Sequence, residues 1–119
     1  MIKILSGIVR IVMSSPPQKH LNIKMEILEE LGRLEEQKVG NISYSYKTTK
    51  DKSELTIFPK KQTEALIGKI KSIMGKKSYR EVKATINYKT LTEKKIAKNR
   101  GEKGLMEITI GEERTIEIN

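Results

Sequence analysis

Between Lys89 and Gly104 six cationic side chains, Lys89, Lys94, Lys95, Lys98, Arg100 and Lys103, stand against two carboxylates, Glu93 and Glu102. Ammonium and guanidinium groups at this density suit one kind of chemistry: each that neutralises a nucleic-acid phosphate releases condensed counterions. The stretch joins two predicted strands and is too long for a tight turn. It reads as a basic hairpin arm, about residues 89–104, with Gly101 and Gly104 freeing the backbone to follow a groove. The competing reading is a solvated loop that only keeps the chain soluble.

The rest of the charge supports the first reading. The net charge is +9. Residues 1–40 contribute +1, residues 41–104 contribute +11 and residues 105–119 contribute −3. A localised field of one sign attracts a polyanion and speeds its encounter. Lys60, Lys61, Lys76 and Lys77 flank a predicted second helix and Lys83 opens the next strand, so these five join the arm as candidate phosphate contacts.

Catalytic chemistry finds no constellation. His20 is the only histidine and cysteine is absent, so neither a metal centre nor a hydrolytic triad can be assembled. His20 reads as a surface or helix-start residue. Nickases of the ferredoxin-like class need a pair of histidines on a strand, which this chain lacks, so Tyr79 and Lys83 are not read as a nucleophilic pair. Gly68 and Gly75 fall within and at the end of a helix, not in a phosphate-binding strand-to-helix loop. No enzyme activity and no cofactor are expected. Tyr44, Tyr46 and Tyr88 alternate in phase with Ile42 and Ile86 and read as core or edge-packing residues, not as base-stacking platforms.

The elements that must position the lysines follow from periodicity. Ile2 to Met13 is a nearly continuous β-branched run, expected as a central strand buried on both faces and kinked at Gly7. Ser15-Pro16-Pro17-Gln18 offers a capping box for an amphipathic, acidic helix that Gly40 can end. Alternation around the turn Lys50-Asp51-Lys52-Ser53 marks a hairpin at 42–58. Pro59 opens a helix with Leu66, Ile70, Ile73 and Met74 on one face, stopped near Gly75. Val82 to Tyr88 and Leu105 to Ile110 read as strands. Ile116 and Ile118 suggest a short last strand after a turn at Gly111-Glu112-Glu113.

This order predicts an α+β fold: a ferredoxin-like β-α-β-β-α-β antiparallel sheet with two helices on one face, plus C-terminal strands and the long basic hairpin loop. At 119 residues the chain is one domain, 1–119. Arg10 interrupts the apolar start and no small-residue cleavage site precedes Pro16, so that start is a strand and not a leader. No run is long enough to span a bilayer. Cytoplasmic location is the default expectation, and the Lys/Glu/Ile bias resembles that of thermophile proteins.

In element order and charge, residues 79–110 resemble the Alba family of archaeal chromatin and RNA-binding proteins, whose last two strands extend into a basic arm. The resemblance implies nucleic-acid contacts by the arm. That family has one strand between its helices, where this chain is read with a hairpin. The expected function is binding of DNA or RNA through phosphates with little sequence readout. The alternative is a non-enzymatic interaction subunit that self-associates as a homo-oligomer or binds an acidic protein, because a first strand apolar on both faces needs cover.

Overall fold

The structure, a computed structural model, describes residues 3–14, 17–96 and 105–118, with backbone alone for 3–6, 92–96 and 105–110. Strand β1 (Lys3–Ser14) leads through a 3-10 turn (Pro17–Lys19) to helix α1 (His20–Glu35). A second 3-10 turn, Val39–Asn41, precedes the hairpin β2 (Tyr44–Thr48) and β3 (Lys52–Ile57). Helix α2 (Thr63–Met74) and the turn Lys77–Tyr79 precede β4 (Ala84–Ile96), β5 (Leu105–Ile110) and β6 (Arg114–Ile118).

All pairings are antiparallel along the path β2-β3-β1-β4-β5, and β6 also pairs with β4. The expected α+β class, antiparallel sheet and two helices are present. The ferredoxin-like β-α-β-β-α-β arrangement is not matched in its specifics, because β4 does not close the sheet but runs on and serves β5 and β6 in turn along one side. β1 is interior, between β3 and β4.

One face of the sheet is dry. The register aligns Tyr46, Leu55, Ile11, Ile86 and Ile116 in one row and Tyr44, Ile57, Val9, Tyr88 and Arg114 in the next. Onto this face α1 presents Ile23, Ile27, Leu28 and Leu31, and α2 presents Leu66, Ile70, Ile73 and Met74, forming one core. Each such side chain taken fully from water contributes about 1.5–3 kcal/mol, which places the folding energy on this face.

The other face corrects the reading of β1. Ile8 and Val12 are half-buried and Arg10 is exposed, so β1 is buried on one face only. Its central place comes from pairing on both sides, not from burial on both faces. Arg10 forms an ion pair with Glu54 of β3 across this open face.

Helix ends also differ from expectation. Ser15 and Pro16 lie outside the described residues, and α1 starts at His20 without a side-chain cap. Its C-terminus is closed by Glu36 in the left-handed region (φ 55), whose N–H donates to Gly32 O, and not by Gly40. Gly32 is required there: a Cβ would lie 2.8 Å from the Gln37 carbonyl. Gly75 does end α2, but with an ordinary φ of −79. The turn that leads into α2 is held from another element, since the N–H groups of Lys60, Lys61 and Gln62 donate to one oxygen of Glu35 at 2.7, 2.7 and 3.1 Å.

Candidate nucleic-acid interface

The basic segment is strand more than loop. β4 continues through Ile96, paired with β5 from Leu91↔Ile110 to Ile96↔Leu105 and with β1 as far as Lys3↔Lys94. Its backbone is tied on both sides from Leu91 to Lys94, while Lys89 is paired with β1 and Lys95 with β5, so all three lysines lie on a paired strand. Lys98, Arg100 and Lys103 lie outside the described residues.

The boundary between body and arm falls at one row of the sheet. Pairing of β1 with β3 ends at Val9↔Ile57, and Pro59 then turns the chain into α2, its carbonyl accepting the Gly7 N–H at 3.0 Å. Gly7 lies directly against Thr63, the first residue of α2, where a Cβ would come 2.4 Å from the Thr63 hydroxyl. The sequence suggested a kink at Gly7; its role is this close approach of helix to strand. From Gly7 α2 runs back over the body, and beyond it β1, β4 and β5 form a three-stranded ribbon. The six residues of β4 from Leu91 to Ile96 extend it by about 20 Å.

The expected turn at Gly111 is a bulge. Partners sum one residue higher after it (Leu91↔Ile110, then Tyr88↔Arg114), so the chain continues along β4 with one residue inserted. β5 thus borders the arm and β6 borders the body.

The candidate lysines do not form one patch. Lys60 and Lys61 sit where α2 begins, at the arm end. Lys76 and Lys77 lie about 18 Å away, past the other end of the helix. Lys76 is engaged already: it pairs with Glu26 of α1, which also accepts the Tyr79 hydroxyl. Lys83 stands on the helix-free face beside Ser14, whose N–H and hydroxyl both donate to the Lys83 carbonyl at 2.8 and 3.2 Å.

That helix-free face joins two of the expected cations, Lys83 and Lys89, with three that the sequence reading passed over, Arg10, Lys47 and Lys52. Strand alternation and register place all five on it with Glu54 and Glu117, among Ser45, Thr56, Thr85, Asn87 and Thr115. The signal was available, since each alternates with a core residue on its strand, but only the register shows that they share a face. Lys52 was assigned to a turn and Arg10 to a buried strand.

The tyrosines keep to the helix side, as read from phase. Tyr88 is buried, and the Lys24 ammonium of α1 lies 4.8 Å from the Tyr46 ring centre and 5.6 Å from that of Tyr44. Arg114 is likewise committed to that side: a hydrogen bond to Tyr88 leads the causes that raise its pKa, followed by charge interactions with Tyr88, Glu112 and Glu64. His20, read as a surface or helix-start residue, does start α1 but is buried there, with Nδ1 2.7 Å from Ser53 Oγ and Nε2 3.1 Å from Ser14 O. Both ring nitrogens are engaged in structure. Among the described residues no three His, Cys, Asp or Glu side chains are grouped to hold a metal, and no helix is long and apolar enough to cross a membrane.

No family model, curated protein or solved structure matches the chain. The likeness to the Alba family rests on element order and charge alone.

Proposed function

We propose that this chain binds nucleic acid through phosphate contacts made by the β4–β5 arm and the helix-free sheet face, with little base readout. The observation that carries this reading is that the basic segment starts as a paired strand: β4 is paired on both sides from Leu91 to Lys94 and with β5 on to Ile96. Cations on a paired rib have less conformational freedom to lose on binding than cations on a free loop, so more of each phosphate contact is kept as affinity. Contacts of this kind position a protein on a strand without identifying bases.

The test replaces Lys94, Lys95, Lys98, Arg100 and Lys103 by Ser and follows binding of labelled oligonucleotides against salt. The wild type is expected to lose affinity steeply with salt, and each removed contact to flatten the log–log slope by roughly 0.7–0.9. Thermal stability is expected to change little, because charge interactions of this kind contribute about 0–1 kcal/mol each. Absence of binding by the wild type at low salt overturns the reading.

A second reading, an interaction subunit, has its own observation. Leu21 and Met25 are exposed one turn apart on α1, and Tyr44 is exposed on the edge strand β2. A mass that rises with concentration, and falls when Leu21 and Met25 are replaced by Ser, is the result that favours it.

A further inference from the structure

At the end of the sheet away from the arm, the helix-free face is indented by a cleft of about 300 Å³ lined in part by Val12, Ser14, Lys52, Lys83, Thr85 and Glu117. The three residues at its mouth are consecutive across three strands. Lys52 is the register partner of Ser14, and Ser14 is bonded through N–H and hydroxyl to the Lys83 carbonyl. With strands about 4.8 Å apart, the two lysine backbones stand about 10 Å from each other with a serine between them. A single anion can therefore lie within reach of both ammonium groups.

Among the described residues neither Lys52 nor Lys83 has a salt bridge, and Glu54, in the row next to Lys52, is held by Arg10. Glu117 is, among the described residues, the one carboxylate lining the cleft, and with Lys52 and Lys83 it gives that lining a net charge of one positive unit. That balances the single negative charge of a phosphodiester better than the nearly doubled charge of a phosphomonoester. The Thr85 hydroxyl adds a donor, and Val12 adds apolar surface for a sugar or base. The volume lies at the low end of small-molecule sites, enough for one nucleotide unit. A duplex presents its phosphates on a convex surface and cannot sink one nucleotide into the cleft.

We infer that the Lys52–Ser14–Lys83 cleft seats one phosphodiester unit of a single nucleic-acid strand crossing the helix-free face. This rests on the nucleic-acid reading above and adds strandedness and an anchoring point that the arm does not supply.

The test compares oligo-dT, oligo-U and a duplex, each labelled, by fluorescence anisotropy across a salt series. The variants are Lys52→Ser with Lys83→Ser, a control of equal charge change on α2 (Lys69→Ser with Lys71→Ser), and Glu117→Gln. The cleft variant is expected to flatten the single-strand slope by about 1.4, two contacts at roughly 0.7 each, with a smaller effect on duplex and little effect from the control. Glu117→Gln, which removes the opposing charge, is expected to bind single strands about fivefold tighter. Equal effects of cleft and control variants, or single-strand affinity indifferent to both the cleft variant and Glu117→Gln, overturn the inference and leave the arm reading standing. Absence of wild-type binding to all three probes at low salt overturns both.

Discussion

The backbone N–H of Gly111 reaches the Thr90 carbonyl at 2.6 Å, and a Cβ on Gly111 would fall 2.4 Å from the Thr90 hydroxyl and 2.9 Å from that carbonyl. Thr90 is also the register partner of Gly7, so a glycine flanks it on each side at the row where the body becomes the arm. Gly111→Ala is expected to push the β5–β6 segment off β4 and to destabilise the protein by about 1–3 kcal/mol. Amide hydrogen exchange checks it: protection is expected to fall first along β5 and β6. Unchanged protection and stability would show that the bulge tolerates a side chain.

Glu26 and Tyr79 tie α1 to the turn after α2 and set a pH dependence at both extremes. Burial pushes the Glu26 carboxyl up, but hydrogen bonds from Lys76 and Tyr79 and the Lys76 charge outweigh it and leave the pKa below the ordinary value. Tyr79 is pushed up to about 12, first by burial, then by its hydrogen bond to Glu26 and the Glu26 charge. The stability from Glu26 is therefore present above the ordinary carboxylate range and lost as pH falls through the lowered value. That from Tyr79 is present below the ordinary phenol value of 10.0 and lost as pH rises towards about 12. In a spectrophotometric titration, with Tyr79→Phe to assign the transition, Glu26→Gln is expected to move the Tyr79 ionisation to lower pH. A Tyr79 transition unmoved by that change would break the link.

The His20 ring fixes the start of α1 to the ends of β1 and β3. The Ser14 carbonyl can only accept, so Nε2 donates to it, and in the neutral ring Nδ1 accepts from Ser53 Oγ. Ser53→Ala leaves a buried ring nitrogen without its partner, and a loss of about 1–3 kcal/mol is expected in urea unfolding. Nucleic-acid affinity measured well below the midpoint is expected to stay as in the wild type, because this cluster is structural. A drop in affinity without a drop in stability would reassign His20 to the interface.

One oxygen of Glu35, at the end of α1, accepts from three consecutive backbone N–H groups, Lys60 to Gln62, in the turn that leads into α2. Glu35→Ala is expected to cost about 0.5–1.5 kcal/mol, the net range for a lost hydrogen bond, read as a lower thermal midpoint. Glu35→Gln keeps an acceptor without its charge and is expected to fall between Ala and wild type. Equal midpoints for all three proteins would show that water replaces the carboxylate at no cost.

What the sequence by itself determined is the local part of this protein. The period of two placed Leu55 and Ile57, and Ile86 and Tyr88, on strand faces, and the helical period placed Leu66, Ile70, Ile73 and Met74 on one side of α2, because a side chain's direction depends on near neighbours alone. The charge excess between residues 41 and 104 is a sum and needs no fold. Register and proximity are different in kind: they are set by which hydrogen bonds strands exchange over long separations. Only the tertiary structure could show that β1 is wet on one face, because burial depends on where the helices lie. It alone seats His20 between Ser14 and Ser53, commits Lys76 to Glu26, and turns Gly111 from a turn into a bulge that carries the chain on along β4. It also brings Lys52 and Lys83, thirty-one positions apart in the chain, to either side of Ser14, where neither composition nor periodicity would have joined them.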